Sequence, residues 1–138
     1  MFEHNYTENE VNNMSPLIWA YIGDSVFEIY IREKMIEKGI PSNTKLHIET
    51  IKYVKAKSQS DMLHILEDFL DEDELRIAKR ARNTCANSAP KNADIIDYRN
   101  ATALEGIIGY LYLLQKKDRL LEILNYIYDN FNIDNKNI

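Results

Sequence analysis

One cysteine, four glycines and three prolines among 138 residues exclude several designs at once. The lone Cys85 cannot close an intramolecular disulfide and has no CxxC companion, which rules out a disulfide scaffold and suits a reducing compartment. So little glycine and proline means few turns and long regular elements, and with 45% hydrophobic residues there is enough apolar material for one core. An all-α single domain is expected. No uncharged apolar run approaches the ~18–20 residues of a membrane span. The opening segment MFEHNYTENE has neither a basic start nor an apolar stretch, so the expectation is a cytoplasmic protein with no membrane partner. Glycine-rich phosphate loops, alternating strand patterns and fixed-period repeats are also missing. His4, His47 and His64 share no metal-ligand spacing, and Ser25 has no recognisable base, so a nucleophilic triad is unsupported.

What is present is unevenly charged. The net charge of −5 argues against nucleic acid as a partner, yet Arg76 to Arg99 holds six basic residues against Asp94 and Asp97, a local +4. Lys79, Arg80, Arg82, Lys91 and Arg99, with Asn92 beside them, are candidates for a phosphate-binding surface. The same residues also read as an ordinary solvated helix face, and composition favours that plainer view.

Residues 1–14 are polar and read as a loose lead-in, 15–131 as the folded domain, and 132–138 as a frayed tail. Ser15 followed by Pro16 starts a long, nearly buried helix that runs to Gly39. A second helix follows the Pro41 turn and a third spans about Ser58 to Phe69, with the break between them unplaced. Asp71 is the expected cap of a fourth helix ending near Arg82. Asn83 to Ala93 has loop composition, Tyr98 to Lys116 forms the fifth helix, and Arg119 to Phe131 the sixth.

Two acids stand out. In SPLIWAYIGDSVFE, Ser15 to Glu28, Asp24 follows Gly23 inside an otherwise apolar helix; in TALEGIIGYLY, Thr102 to Tyr112, Glu105 precedes Gly106 and lies one turn before Gly109. Glycine inside a helix costs ~1 kcal/mol relative to alanine, so three glycines beside two inward acids need a reason. A close crossing of the two helix backbones supplies one and brings the carboxylates together. Hard oxygen ligands completed by water then suit Mg²⁺, with Mn²⁺ as a substitute. Glu28, one turn after Asp24, is a candidate for holding an outer-sphere water. The alternative is a structural network in which each acid pairs with Arg99, Arg32 or a tyrosine, and spacing does not decide between the two.

These residues carry a resemblance. YIGDSVFEIYIR, Tyr21 to Arg32, resembles the signature helix of ribonuclease III domains, and ATALEGIIGYLYLL, Ala101 to Leu114, resembles their second acidic helix. Ala81 to Leu113 is similar to the matching segment of Mini-ribonuclease III, the short bacterial branch without a double-stranded-RNA-binding domain, and the chain ends soon after it. The resemblance implies that Asp24 and Glu105 are Mg²⁺-binding catalytic residues of an endoribonuclease that cuts double-stranded RNA. It further implies a homodimer and maturation of the large-subunit (23S) ribosomal RNA precursor, with a large-subunit ribosomal protein as a candidate helper. Apolar residues near Trp19, Tyr30 and Tyr110 are the candidates for the dimer seam. Larger ribonuclease III enzymes carry acids where this chain has Ala20 and Thr102. The Mini-III branch also lacks them, but their absence leaves open an alternative, a catalytically inert RNA- or ribosome-binding relative.

Overall fold

Ser15 accepts the Leu17 N–H at 3.3 Å and Pro16 occupies the first helical position, where its missing N–H is harmless; from there a helix of 22 residues runs ~33 Å. The computed structural model describes residues 2–84, 91 and 94–132, and everything described is helical or connecting chain. In order the elements are α1 (Glu8–Asn12), α2 (Pro16–Glu37), α3 (Asn43–Val54), α4 (Ala56–Leu66), α5 (Glu72–Thr84), α6 (Ile95–Leu113) and α7 (Lys117–Asn130). Helix α2 ends at Glu37 with Lys38 as its cap, two residues short of the predicted Gly39, whose φ of 75° is the left-handed geometry that closes many helices.

Helix α6 is the centre. Every residue from Asn100 to Leu111 except Glu105 is buried, as expected of a helix apolar on all sides. Helices α2, α4, α5 and α7 pack around it, and α3 packs on α2 and α4. It starts three residues before the predicted Tyr98, because Asp94 caps it by accepting the Asp97 N–H at 3.0 Å. Asp71 caps α5, accepting the Glu74 N–H at 2.8 Å while Glu74 accepts the Asp71 N–H at 3.0 Å. Glu74 is buried, which raises its pKa, but hydrogen bonds from Arg119 and the Asp71 amide outweigh burial and hold it below the ordinary carboxylate value.

Helices α2 and α6 touch backbone to backbone. A Cβ on Gly23 would stand 1.8 Å from the Glu105 carbonyl oxygen, and one on Gly109 would stand 1.7 Å from the Trp19 carbonyl oxygen. Gly106 faces a different neighbour: its Cβ would meet that of Ala81 on α5 at 2.6 Å. The expected crossing therefore rests on two of the three glycines, and the third lets α5 approach.

The polar lead-in holds more structure than its composition suggests. Thr7 and Glu10 form a reciprocal capping box on α1, and Val11 is fully buried. Trp19 Nε1–H donates to the Val11 carbonyl at 2.8 Å, and Tyr110 O–H to Asn12 Oδ1 at 2.8 Å. The break between the second and third predicted helices falls at Lys55, extended at φ −65° and ψ 153°. Val54 and Lys52, at the end of α3, have carbonyls satisfied by side chains of α4: Gln59 Nε2 donates to Val54 at 2.8 Å and Ser58 Oγ to Lys52 at 2.5 Å.

Gly109→Ala is expected to cost roughly 3 kcal/mol or more, since its methyl meets backbone that cannot swing aside. Gly39→Ala has open space around it and loses only about 1–2 kcal/mol to its positive φ. Urea denaturation of the two variants gives the comparison.

Candidate active site

The backbone contact decides where the acids go. Gly23 lies against the carbonyl of Glu105, so the next residue on α2, Asp24, is set beside the Glu105 side chain. Asp24 is exposed and Glu105 half-buried. Burial, then the charge of Asp24 and a hydrogen bond between the two side chains, push the Glu105 carboxyl up to about 8; a hydrogen bond from Gln59 pulls it partly back. Without a cation Glu105 therefore keeps its proton at neutral pH.

The structural network that the sequence also allowed is not the one formed. Among the described residues the ion pairs include neither Asp24 nor Glu105. Arg32 is taken by Glu28, at 2.8 Å, with both side chains substantially exposed. Arg99 keeps its Nε buried without a hydrogen-bond partner. A divalent cation fits the acid pair, because it would displace the Glu105 proton and offset the repulsion that raises that group. No group of three or more His, Cys, Asp or Glu side chains with metal-holding geometry occurs among the described residues. Two carboxylates suit a cation that retains several waters, as Mg²⁺ does, better than one needing a full protein cage. Ala20 is buried, and the Thr102 hydroxyl donates to its own helix at Tyr98 O, 3.0 Å away.

The basic candidates divide. Lys79, Arg80, Arg82 and Lys91 are exposed, the first three on α5 beside the helix that carries Glu105. Arg80 has work within the fold: its guanidinium lies 4.8 Å from the Trp19 ring centre and donates to the Asn12 carbonyl at 3.2 Å. Arg82 Nε donates to Asn100 Oδ1 at 3.2 Å, and Asn100 in turn donates to Ser60 Oγ at 3.0 Å. Arg82 is thus anchored to α6 about 7.5 Å along the axis from Glu105. Asn92 lies outside the described residues, as do Cys85, most of the Asn83 to Ala93 loop, and the tail beyond Asn132. The cations give way to acids near the start of α6, where Lys57 bonds Asp61 and faces Asp97 and Asp94.

Trp19 is fully buried and Tyr110 nearly so, packed edge to face at 5.1 Å, and Tyr30 O–H donates to Asn125 Oδ1 at 2.5 Å. Trp19 and Tyr110 are interior residues and Tyr30 is half-buried. The exposed apolar residues of α2 are Leu17, Ile18, Tyr21, Ile29 and Ile36, with Ile18 and Ile29 next to Trp19 and Tyr30 and Tyr21 81% exposed. Gln59 and Asn100, both buried polar residues next to candidate site groups, had no signal in the sequence, since neither belongs to a charged or glycine-marked motif.

An all-helical domain with two acids converging at a glycine crossing defines a class. Residues 17–116 match the ribonuclease III domain, so the protein is a ribonuclease III domain protein. It is 43% identical to a Mini-ribonuclease 3 of Clostridium tetani over 96% of this chain and 88% of that one. It is 45% identical to one of Brevibacillus brevis, over 82% and 84% respectively. A solved protein from Fusobacterium nucleatum superposes with a TM-score of 0.76 at 32% identity, covering 86% of this chain and 95% of that one. The chain belongs to the Mini-ribonuclease 3 family and is an endoribonuclease. None of its helices is long and apolar enough to cross a membrane, among the described residues.

Glu105 sets a pH dependence. Its carboxyl is raised on folding from 4.5 to about 8, so the metal-free protein loses stability as pH rises through that interval. Glu105→Gln removes the titrating group. In metal-free buffer the variant should melt several degrees above the parent at pH 9 and close to it at pH 4; parallel melting curves across that range would contradict the assignment.

Proposed function

We propose that Asp24 and Glu105 hold Mg²⁺, or Mn²⁺ in its place, and are the catalytic residues for cleaving double-stranded RNA, with the ends of the large-subunit (23S) ribosomal RNA precursor as the substrate. The observation that carries this is the convergence of the two acids without a compensating cation among the described residues. The choice of ribosomal RNA rests on the resemblance of Ala81 to Leu113 to the Mini-III segment.

The cation supplies Lewis acidity, lowering the pKa of water and neutralising charge at the reacting phosphate. The chain's residues do the rest. Asp24, exposed at the crossing, and Glu105, held half-buried behind it, would hold and orient the cation, with Glu105 in its ionised form. Thr102 and Ala20 add no carboxylate, so the pair stands alone in the positions where larger relatives have more acids. Glu28 stays a candidate for an outer-sphere water only if its contact with Arg32 opens.

Duplex RNA is read by its A-form shape, its phosphates and its 2′-hydroxyls, because its deep major groove excludes side chains. Lys79, Arg82 and Lys91 are the exposed cations for that surface, with Asn92 and Arg99 completing the candidate set. Arg80 contributes there only through the part of its charge not committed to Trp19 and Asn12. A second copy of the chain on the Leu17, Ile18, Tyr21 and Ile29 face would bury apolar side chains now open to water and give the homodimer one site for each strand. A large-subunit ribosomal protein remains the candidate helper that shapes the precursor stem.

Asp24→Asn should fold normally and lose cleavage of a labelled duplex matching the base of the precursor stem. The parent should cut both strands with Mg²⁺ and neither with chelator. A cleaving Asp24→Asn protein would remove Asp24 from the mechanism. Arg82→Ala should weaken duplex binding and lower the salt slope by roughly one. Arg80→Ala should act chiefly on thermal stability, by about 1 kcal/mol from the lost contact with Trp19.

A further inference from the structure

The side chain that holds Glu105 comes from a third helix. Gln59, in the first turn of α4, is 3% exposed, and its Nε2 donates both to the Val54 carbonyl at 2.8 Å and to Glu105 Oε2 at 3.4 Å. One NH₂ group therefore joins the α3–α4 break to a carboxylate of the site. The other end of the amide, Oε1, is buried without a hydrogen-bond partner. Leaving such an atom unsatisfied costs ~1–3 kcal/mol, which an apolar side chain of similar length would avoid. Exchanging the two ends of the amide would not help: it would turn an oxygen against the Val54 carbonyl, so the donor end is the one facing Glu105. The glutamine is thus poor for burial and well suited to restraining a carboxylate, and contacts that orient metal-ligating groups commonly govern metal affinity.

Resting on the reading of Asp24 and Glu105 as a metal pair, we propose that Gln59 is a positioning residue: its amide N–H occupies Glu105 Oε2 and keeps that carboxylate turned toward Asp24. Helix α4 thereby contributes to a site whose ligands lie on α2 and α6. The neighbouring Ser58 provides a control, because its hydroxyl supports the same helix break through the Lys52 carbonyl and has no contact with Glu105.

The test is Mn²⁺ binding to metal-free full-length protein, followed by electron paramagnetic resonance, with cleavage kinetics alongside. Gln59→Met should lower Mn²⁺ affinity about tenfold and reduce kcat while leaving KM for the duplex unchanged. Ser58→Ala should keep both within about twofold of the parent. Parent-like Mn²⁺ affinity in Gln59→Met, or an equal loss in Ser58→Ala, would overturn the role of Gln59 and leave the metal pair standing. A parent protein that neither binds Mn²⁺ nor cuts would remove the metal pair, and this proposal with it. Should Gln59→Met fail to fold, the Gln59 side-chain amide resonances of the parent decide: they should shift on Mg²⁺ titration, and resonances that stay fixed through saturation would overturn the proposal.

Discussion

Two helices whose backbones touch leave no room for a side chain between them, and the contact of α2 with α6 at Gly23 and Gly109 is the constraint on which the rest depends. It fixes the depth and register of both helices, because the neighbouring atoms on each side are main chain. Everything carried near the crossing inherits that register. Trp19 is placed under α1, and Ala20 is packed into the interior. Asp24 and Glu105 are set side by side. A looser crossing would leave the same residues on the same helices and no site.

That placement works against folding. The α2–α6 contact forces two acids together, and burial adds to the strain on Glu105, which keeps a proton at neutral pH in the absence of a cation. Elsewhere the molecule treats a buried acid differently. Glu74 is also buried, yet Arg119 meets it with two bonds of 2.8 and 2.7 Å and its pKa falls. Two carboxylates in one small domain thus have opposite shifts, because Glu74 faces an arginine and the Asp71 amide whereas Glu105 is desolvated beside the like charge of Asp24. The acid without an arginine belongs to the candidate active site, as expected where local stability is given up for chemistry.

The cations of α5 show how a charged stretch is divided between structure and surface. Ala81 turns inward against Gly106, which brings α5 close enough to α6 for Arg82 to reach Asn100. On another side of the helix Arg80 covers Trp19 and holds the end of α1. Lys79 stays on the exposed part of the helix between them. A count of positive charges treats these residues alike, whereas packing assigns them separate duties.

Several features were legible in the sequence because their causes are local. Ser15–Pro16 and Asp71 act on the next few amides, so they mark helix starts wherever the chain goes. Two acids flanked by glycine in apolar helices announced a backbone crossing, since no local preference favours glycine there. The ribonuclease III motifs around Asp24 and Glu105 carried the class of enzyme on the same residues. Other features depend on partners far along the chain. Val11 became core, and the polar lead-in part of the domain, only because Trp19 and Tyr110 lie where α1 can reach them. Trp19 and Tyr110 themselves turned inward. Gln59 meets Glu105 across 46 positions of sequence, a pairing that no periodicity encodes. Local chemistry in the chain determined the helices and the pair of acids; which polar groups restrain that pair, and which apolar face stays open to water, was decided by packing, because both follow from distances between helices that only the folded chain defines.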